Sequence, residues 1–117
     1  MTNARTVLLV EDEPLIRLAT ADVLTESGCI VLEAESSGEA LACIDAHREI
    51  DVIVADVNLP GELNGVEVSE IARRTRPQLR VIVTSGSGLP ASARMPPNGL
   101  FLPKPFRAHQ LRAAVDG

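Results

Sequence analysis

Five short apolar runs punctuate the chain: Val7-Leu-Leu-Val10, Ile30-Val-Leu32, Val52-Ile-Val-Ala55, Val81-Ile-Val83 and Leu100-Phe-Leu102. None alternates polar with apolar residues, so each reads as a strand covered on both faces, the pattern of a parallel sheet. Between them the spacing changes to that of helices. Pro14 suits a first helical turn, and Leu15, Ile16, Ala19, Val23 and Leu24 recur at helical intervals up to Gly28, a stop signal. Ser36 and Glu39 have the spacing of a capping box ahead of Ala40, Leu41 and Ile44, with the helix running to about His47. Val66, Val68, Ile71 and Ala72 mark a third helix that ends near Thr75, before Pro77. Leu111, Ala114 and Val115 mark a last one.

The segment after the fourth strand breaks the rhythm. Gly86, Gly88, Pro90, Pro96, Pro97 and Gly99 leave only Ala91–Met95 room for a turn or so, so a fourth helix is expected to be short or degenerate. The alternation otherwise predicts an α/β fold, a three-layer sandwich with a five-stranded parallel sheet and right-handed crossovers. Polar residues that could carry chemistry close strands 1, 3, 4 and 5: Glu11, Asp12, Asp56, Thr84 and Lys104. Strand 2 contributes none. Ligands of open α/β sheets bind beyond the carboxyl ends of the strands, where the winding reverses. Strand order 2-1-3-4-5 puts strands 1 and 3 side by side at that point, so Asp12 and Asp56 are expected to meet there.

Composition narrows the classes. The 117 residues suffice for one domain with a core, 1–117, and with one helix past Lys104 no output domain is expected. A net charge of −5 and a 2% aromatic share, Phe101 and Phe106 alone, argue against nucleic acid and anionic membranes as partners. Cys29 and Cys43 lack metal or redox spacing and read as reduced core thiols. With no signal peptide and no long apolar run, a cytoplasmic location is expected.

Carboxylates converging at one sheet edge repel each other. Two unit charges about 4 Å apart interact by about 4 kcal/mol at an effective dielectric near 20. A hard divalent cation resolves this, and Mg²⁺ suits one or two carboxylates plus waters and a phosphate oxygen. Asp12 and Asp56 are expected as direct ligands, Glu11 as a direct or water-mediated one, and the backbone carbonyl of Asn58 as a further donor. Lys104 supplies a mobile cation and Thr84 a hydroxyl, with Ser85 as its competitor. An ionised carboxylate, a metal and a cationic clamp fit phosphoryl transfer onto Asp56.

Val7-Leu-Leu-Val10-Glu11-Asp12, Asp56 closing a strand, Thr84 closing the next, and Lys104-Pro105-Phe106 together resemble the receiver domain of two-component response regulators, over residue 6 to about 115. The resemblance implies a flavodoxin-like (βα)5 fold and a phosphoryl group passed to Asp56 from a histidine kinase or phosphotransfer protein. It implies a Mg²⁺ requirement, slow self-catalysed hydrolysis rather than enzymatic turnover, and a cis Lys104–Pro105 bond. It further implies a switch in which Thr84 moves toward the phosphoryl and an aromatic, here Phe101, rotates inward. The chain departs from the pattern in three places. The Asp56–Gly65 loop is one residue longer than the commonest family pattern, which bears on Glu62. Phe101 has no hydroxyl. The degenerate fourth helix alters a face that family members use for dimerisation or output.

The expected role is a single-domain phosphorylation switch or phosphorelay intermediate, a monomer or weak dimer acting on a downstream protein. Two alternatives stand beside it. One is a receiver that binds a partner without phosphate, against which the complete set of site residues argues. The other is a small aspartate-nucleophile phosphatase of the haloacid dehalogenase kind, which would want an acid where Asn58 stands.

Overall fold

The computed structural model describes residues 4–90 and 93–117. Its elements run β1 (Thr6–Val10), α1 (Pro14–Glu26), β2 (Ile30–Ala34), α2 (Ser37–Ala46), β3 (Val52–Asp56), α3 (Gly65–Thr75), β4 (Arg80–Ser85), β5 (Leu100–Pro103) and α4 (Ala108–Asp116). The strands pair in parallel in the order β2-β1-β3-β4-β5, as the sequence pattern requires. Every residue of β1 and β3 is buried, whereas the edge strand β2 leaves Ile30 more than half exposed.

Side-chain alternation divides the core in two. Leu8, Val10, Ile53, Ala55, Val81 and Val83 point to the face covered by α2 and α3. Val7, Leu9, Val52, Val54 and Ile82 point to the face covered by α1 and α4, where Leu24, Leu111 and Val115 meet them. Fully burying one such side chain is worth about 1.5–3 kcal/mol, so these two layers hold the sheet. Cys43 packs against the first layer and Cys29 against the second. Both are free thiols, only half-buried, and burial pushes their pKa values up.

The capping differs from the pattern read in the sequence. At α2, Ser36 accepts from the Glu39 N–H at 3.2 Å, but the Glu39 carboxylate accepts from Glu35 N–H, one residue early, so the box does not close. The closed box lies at α3. There Asn64 Oδ1 accepts from Glu67 N–H and Glu67 Oε1 accepts from Asn64 N–H, each at 2.9 Å. Asn serves as an N-cap as well as Ser does.

Helix α1 also departs from expectation. Thr20, Ala21 and Leu24 are its buried residues, while Leu15 is 75% and Leu18 60% exposed, and Ile16 and Ala19 are exposed too. Its apolar residues surround the axis, and the sheet can cover only one side. Between β4 and β5 no helix forms among the described residues. Ala91 and Ser92 of the expected turn lie outside them, and Ala93–Met95 are non-helical. Leu89, Ala93 and Met95 nevertheless pack on the α2–α3 side of the core, in the slot of the missing helix.

Candidate functional site

Backbone ladders carry the candidate residues to one edge of the sheet. Asp56 ends β3 directly beside Thr84 on β4. The ladder continues past the strands: Val57 N–H donates to the Thr84 carbonyl, and Lys104 N–H donates to the Ser85 carbonyl, both at 2.9 Å. Glu11 N–H donates to Ala34 O at 3.0 Å, fixing the residue after β1. Glu11, Asp56 and Lys104 therefore emerge from three different strands at fixed offsets.

Their side chains meet. The Lys104 ammonium donates to Glu11 Oε1 at 2.5 Å and to Asp56 Oδ2 at 2.7 Å. Each carboxylate's second oxygen accepts a backbone N–H: Glu11 Oε2 from Glu13 at 3.1 Å, and Asp56 Oδ1 from Asn58 at 2.9 Å. Asp56 and Glu11 are only 6% and 3% exposed, so the lysine lies between two nearly dry acids. Burial raises the Glu11 pKa, and this outweighs its hydrogen bonds to Lys104 and Glu13. Burial alone would lower the Lys104 pKa, but its bonds to Asp56 and Glu11 together with their charges overcome that and raise it. The pair of acids keeps the lysine in its charged form.

Glu11, Asp12 and Asp56 each place a carboxylate oxygen within 4.8 Å of the others. Three hard oxygen donors at that separation, with Asp12 exposed on the open side, match the donor set of a divalent cation such as Mg²⁺ or Ca²⁺. Glu62 is exposed and stands outside this group. Asn58 is held by its N–H on Asp56, which keeps its peptide beside the cluster.

The two competing hydroxyls separate clearly. Ser85 Oγ donates to Gly88 O and accepts from Ser87 N–H, each at 3.1 Å, and so is tied into its own loop. Thr84 Oγ1 makes no hydrogen bond among the described residues, and Thr84 shares Asp56's side of the sheet. Phe101 pairs with Val83 and projects to the opposite layer, half-buried against the core on the α2–α3 side. The Lys104–Pro105 bond is cis.

Two supports were not visible from the sequence pattern. Arg17 donates to the Glu11 carbonyl at 3.0 Å and pairs with Glu33 and Glu35, tying α1 to the end of β1 and to β2. Gly65 starts α3 against the Asp56 carbonyl, which a Cβ at that position would strike. An Arg six residues after an acid carries no distinctive local signal, and Asn-Gly marks a turn without saying what lies against the glycine. Beside the cluster, Leu15, Ile16, Ala19, Pro105 and Phe106 line an open groove of about 530 Å³ that reaches Lys104.

A family model, the response regulator receiver domain, matches residues 7–116. The chain belongs to that family. This receiver domain is 38% identical over 119 residues to the sensor kinase CckA of Brucella abortus, covering 98% of this chain and 12% of that protein. It is 36% identical to the transcriptional regulatory protein PdtaR of Mycobacterium tuberculosis, covering 96% of this chain and 55% of that protein. It thus spans little more than half, or far less, of these relatives' length. A receiver protein from Sinorhizobium medicae has a TM-score of 0.88 at 30% identity, covering 97% of this chain and 93% of that one. The receiver of the hybrid histidine kinase CckA has a TM-score of 0.80 at 31% identity, with 95% of each chain covered. No helix among the described residues is long and apolar enough to cross a membrane.

Proposed function

We propose that the protein accepts a phosphoryl group on Asp56 from a phosphohistidine of a histidine kinase or phosphotransfer protein, and acts in the cytoplasm as a single-domain switch or relay intermediate. The observation that carries this reading is the Lys104 ammonium bridging Asp56 and Glu11. A buried acid needs a compensating charge, and a lysine that can turn from carboxylate to phosphoryl oxygen supplies one before and after transfer.

In the transfer a bond forms between an Asp56 carboxylate oxygen and phosphorus while the phosphorus–nitrogen bond of the donor breaks. The donor imidazole leaves with that electron pair and takes a proton from water. Asp56 is positioned by the Asn58 N–H, and Lys104 neutralises charge on the transferred oxygens. Glu11, Asp12, Asp56 and the Asn58 carbonyl would hold Mg²⁺, which supplies charge neutralisation for the phosphoryl group when bound. Thr84 offers its unengaged hydroxyl to the new phosphoryl oxygen, and the β4–β5 segment moves with it. Phosphorylation adds about −1.5 to −2 charges at this edge. The exposed Leu15 and Ile16 and the groove beside Lys104 are suited to an apolar helix of the donor, since a contiguous apolar patch beside a reactive group marks a contact surface.

Acetyl phosphate with Mg²⁺, followed by intact-mass measurement, tests the reading. A single phosphoryl adduct is expected, abolished in Asp56→Asn and prevented by chelator. Thr84→Ala should keep the adduct while blunting the response of the partner. No adduct on the unaltered protein favours a phosphate-independent binding module, and turnover of many phosphomonoesters favours a phosphatase.

A further inference from the structure

The net charge of −5 conceals a segregation. Fifteen of the 16 Asp and Glu residues lie in residues 1–70, and eight of the 11 Lys and Arg residues follow them; from Ile71 to Val115 there is no acid at all. The sheet order converts this into space, because β2, β1 and β3 come from the acidic part and β4 and β5 from the basic part. Three of the arginines are taken up by backbone carbonyls. Arg76 donates to Ile44 O at the end of α2, Arg80 to Ala114 O at the end of α4 at 2.5 Å, and Arg73 to Leu79 O at 3.0 Å and to Pro97 O. Neither α2 nor α4 has a basic residue in its own last turn, so the first two compensate those helix ends.

Arg74 and Arg94 are different. Both are exposed and neither forms an ion pair among the described residues. Together with Arg73 they line an open cleft of about 380 Å³ between the last turn of α3 and the β4–β5 segment, with half-buried Met95 and buried Pro96 as its apolar floor and Glu70 its one acid. The cleft lies where the β4–β5 crossover forms no helix among the described residues. We propose that it is a docking site for an acidic segment of a partner protein. Arg74 and Arg94 receive its carboxylates in the bidentate geometry that guanidinium favours, and Arg73, tied to two carbonyls, holds the cleft's walls together. The apolar floor calls for an aliphatic side chain among the acids. A nucleic acid fits less well: the cleft has no aromatic for a base to stack on, and a long polyanion would have to run past Glu70 toward the acidic part of the molecule. The inference is independent of chemistry at Asp56.

The test uses the unphosphorylated protein and a fluorescein-labelled peptide rich in Asp and Glu with one leucine, followed by anisotropy at low and high salt. Saturable binding is expected, weaker at high salt as the Debye length shrinks. Arg74→Glu/Arg94→Glu should weaken it by about tenfold or more, whereas Arg112→Glu, at an exposed position of α4, should leave it within about twofold. The milder Arg74→Gln/Arg94→Gln pair, checked for an unchanged melting temperature, separates lost contacts from a disturbed fold. Absence of peptide binding overturns the proposal. So does equal binding by the double variants, or tighter binding of an oligothymidylate or of phosphatidylglycerol vesicles than of the peptide.

Discussion

Two crossovers leave the same edge of the sheet from neighbouring strands, and they end differently. After β3 the chain passes Asp56, turns through Pro60 and Gly61, and launches α3 from a closed Asn64–Glu67 capping box. After β4 it passes Thr84, folds Ser85 back onto Ser87 and Gly88, and reaches β5 without a helix among the described residues. Both connect parallel strands, so topology does not demand a helix from each. What differs is local chemistry. The first has two side chains that satisfy the orphan N–H groups of a helix start. The second has Pro90, Pro96 and Pro97 and positive φ at Gly88 and Asn98, which remove donors and fix turns. The first also fixes Asp56, the proposed acceptor, through the Asn58 N–H at 2.9 Å.

That contrast can be broken most severely at Gly65. A Cβ there strikes the Asp56 carbonyl, so Gly65→Val should cost about 3 kcal/mol in urea unfolding and abolish the phosphoryl adduct as well. Asn64→Ala removes the cap and should cost about 1 kcal/mol, with no loss of adduct. Loss of the adduct in that variant would mean that helix launching and nucleophile placement are one device rather than two.

Glu11 gives a smaller effect with a definite sign. Its folded pKa is raised above 4.5, chiefly by burial, so protonation favours the fold. That contribution is complete below pH 4.5 and is lost as pH rises through the folded value. Glutamine mimics the protonated form. Glu11→Gln should therefore melt higher than the unaltered protein at pH 7 in chelator, and the difference should close as pH falls toward 4.5. A gap that widens toward acid would contradict the burial argument. Smallest of all, Gly86→Ala in the second crossover meets no atom within 4 Å and has no positive φ, so its melting should change by no more than about 0.5 kcal/mol.

Much of this was legible in the chain. The five strands and the gathering of Glu11, Asp12, Asp56 and Lys104 followed from apolar runs and the polar residues just past them, the strand order from where the winding reverses, and a short or degenerate fourth helix from the glycines and prolines after β4. Local reading failed where partners are distant. Leu15, Ile16 and Ala19 recur at helical intervals yet face solvent, because a helix apolar all round does not say which side the sheet will cover. Ser36–Glu39 has the spacing of a box that closes, in fact, at Asn64–Glu67. The net charge pointed away from nucleic acid and anionic membranes and hid the basic part, because it summed an acidic part and a basic part that the sheet keeps apart.

The sequence by itself determined the alternation of strands and helices and the chemical identity of the groups at their ends, because period and residue type are local properties of a chain. Only the tertiary structure decided which acid shares Lys104, which hydroxyl stays unengaged, and which arginines are taken up by helix ends. Those outcomes depend on distances between residues up to 93 positions apart, and such distances exist only once five strands lie in register.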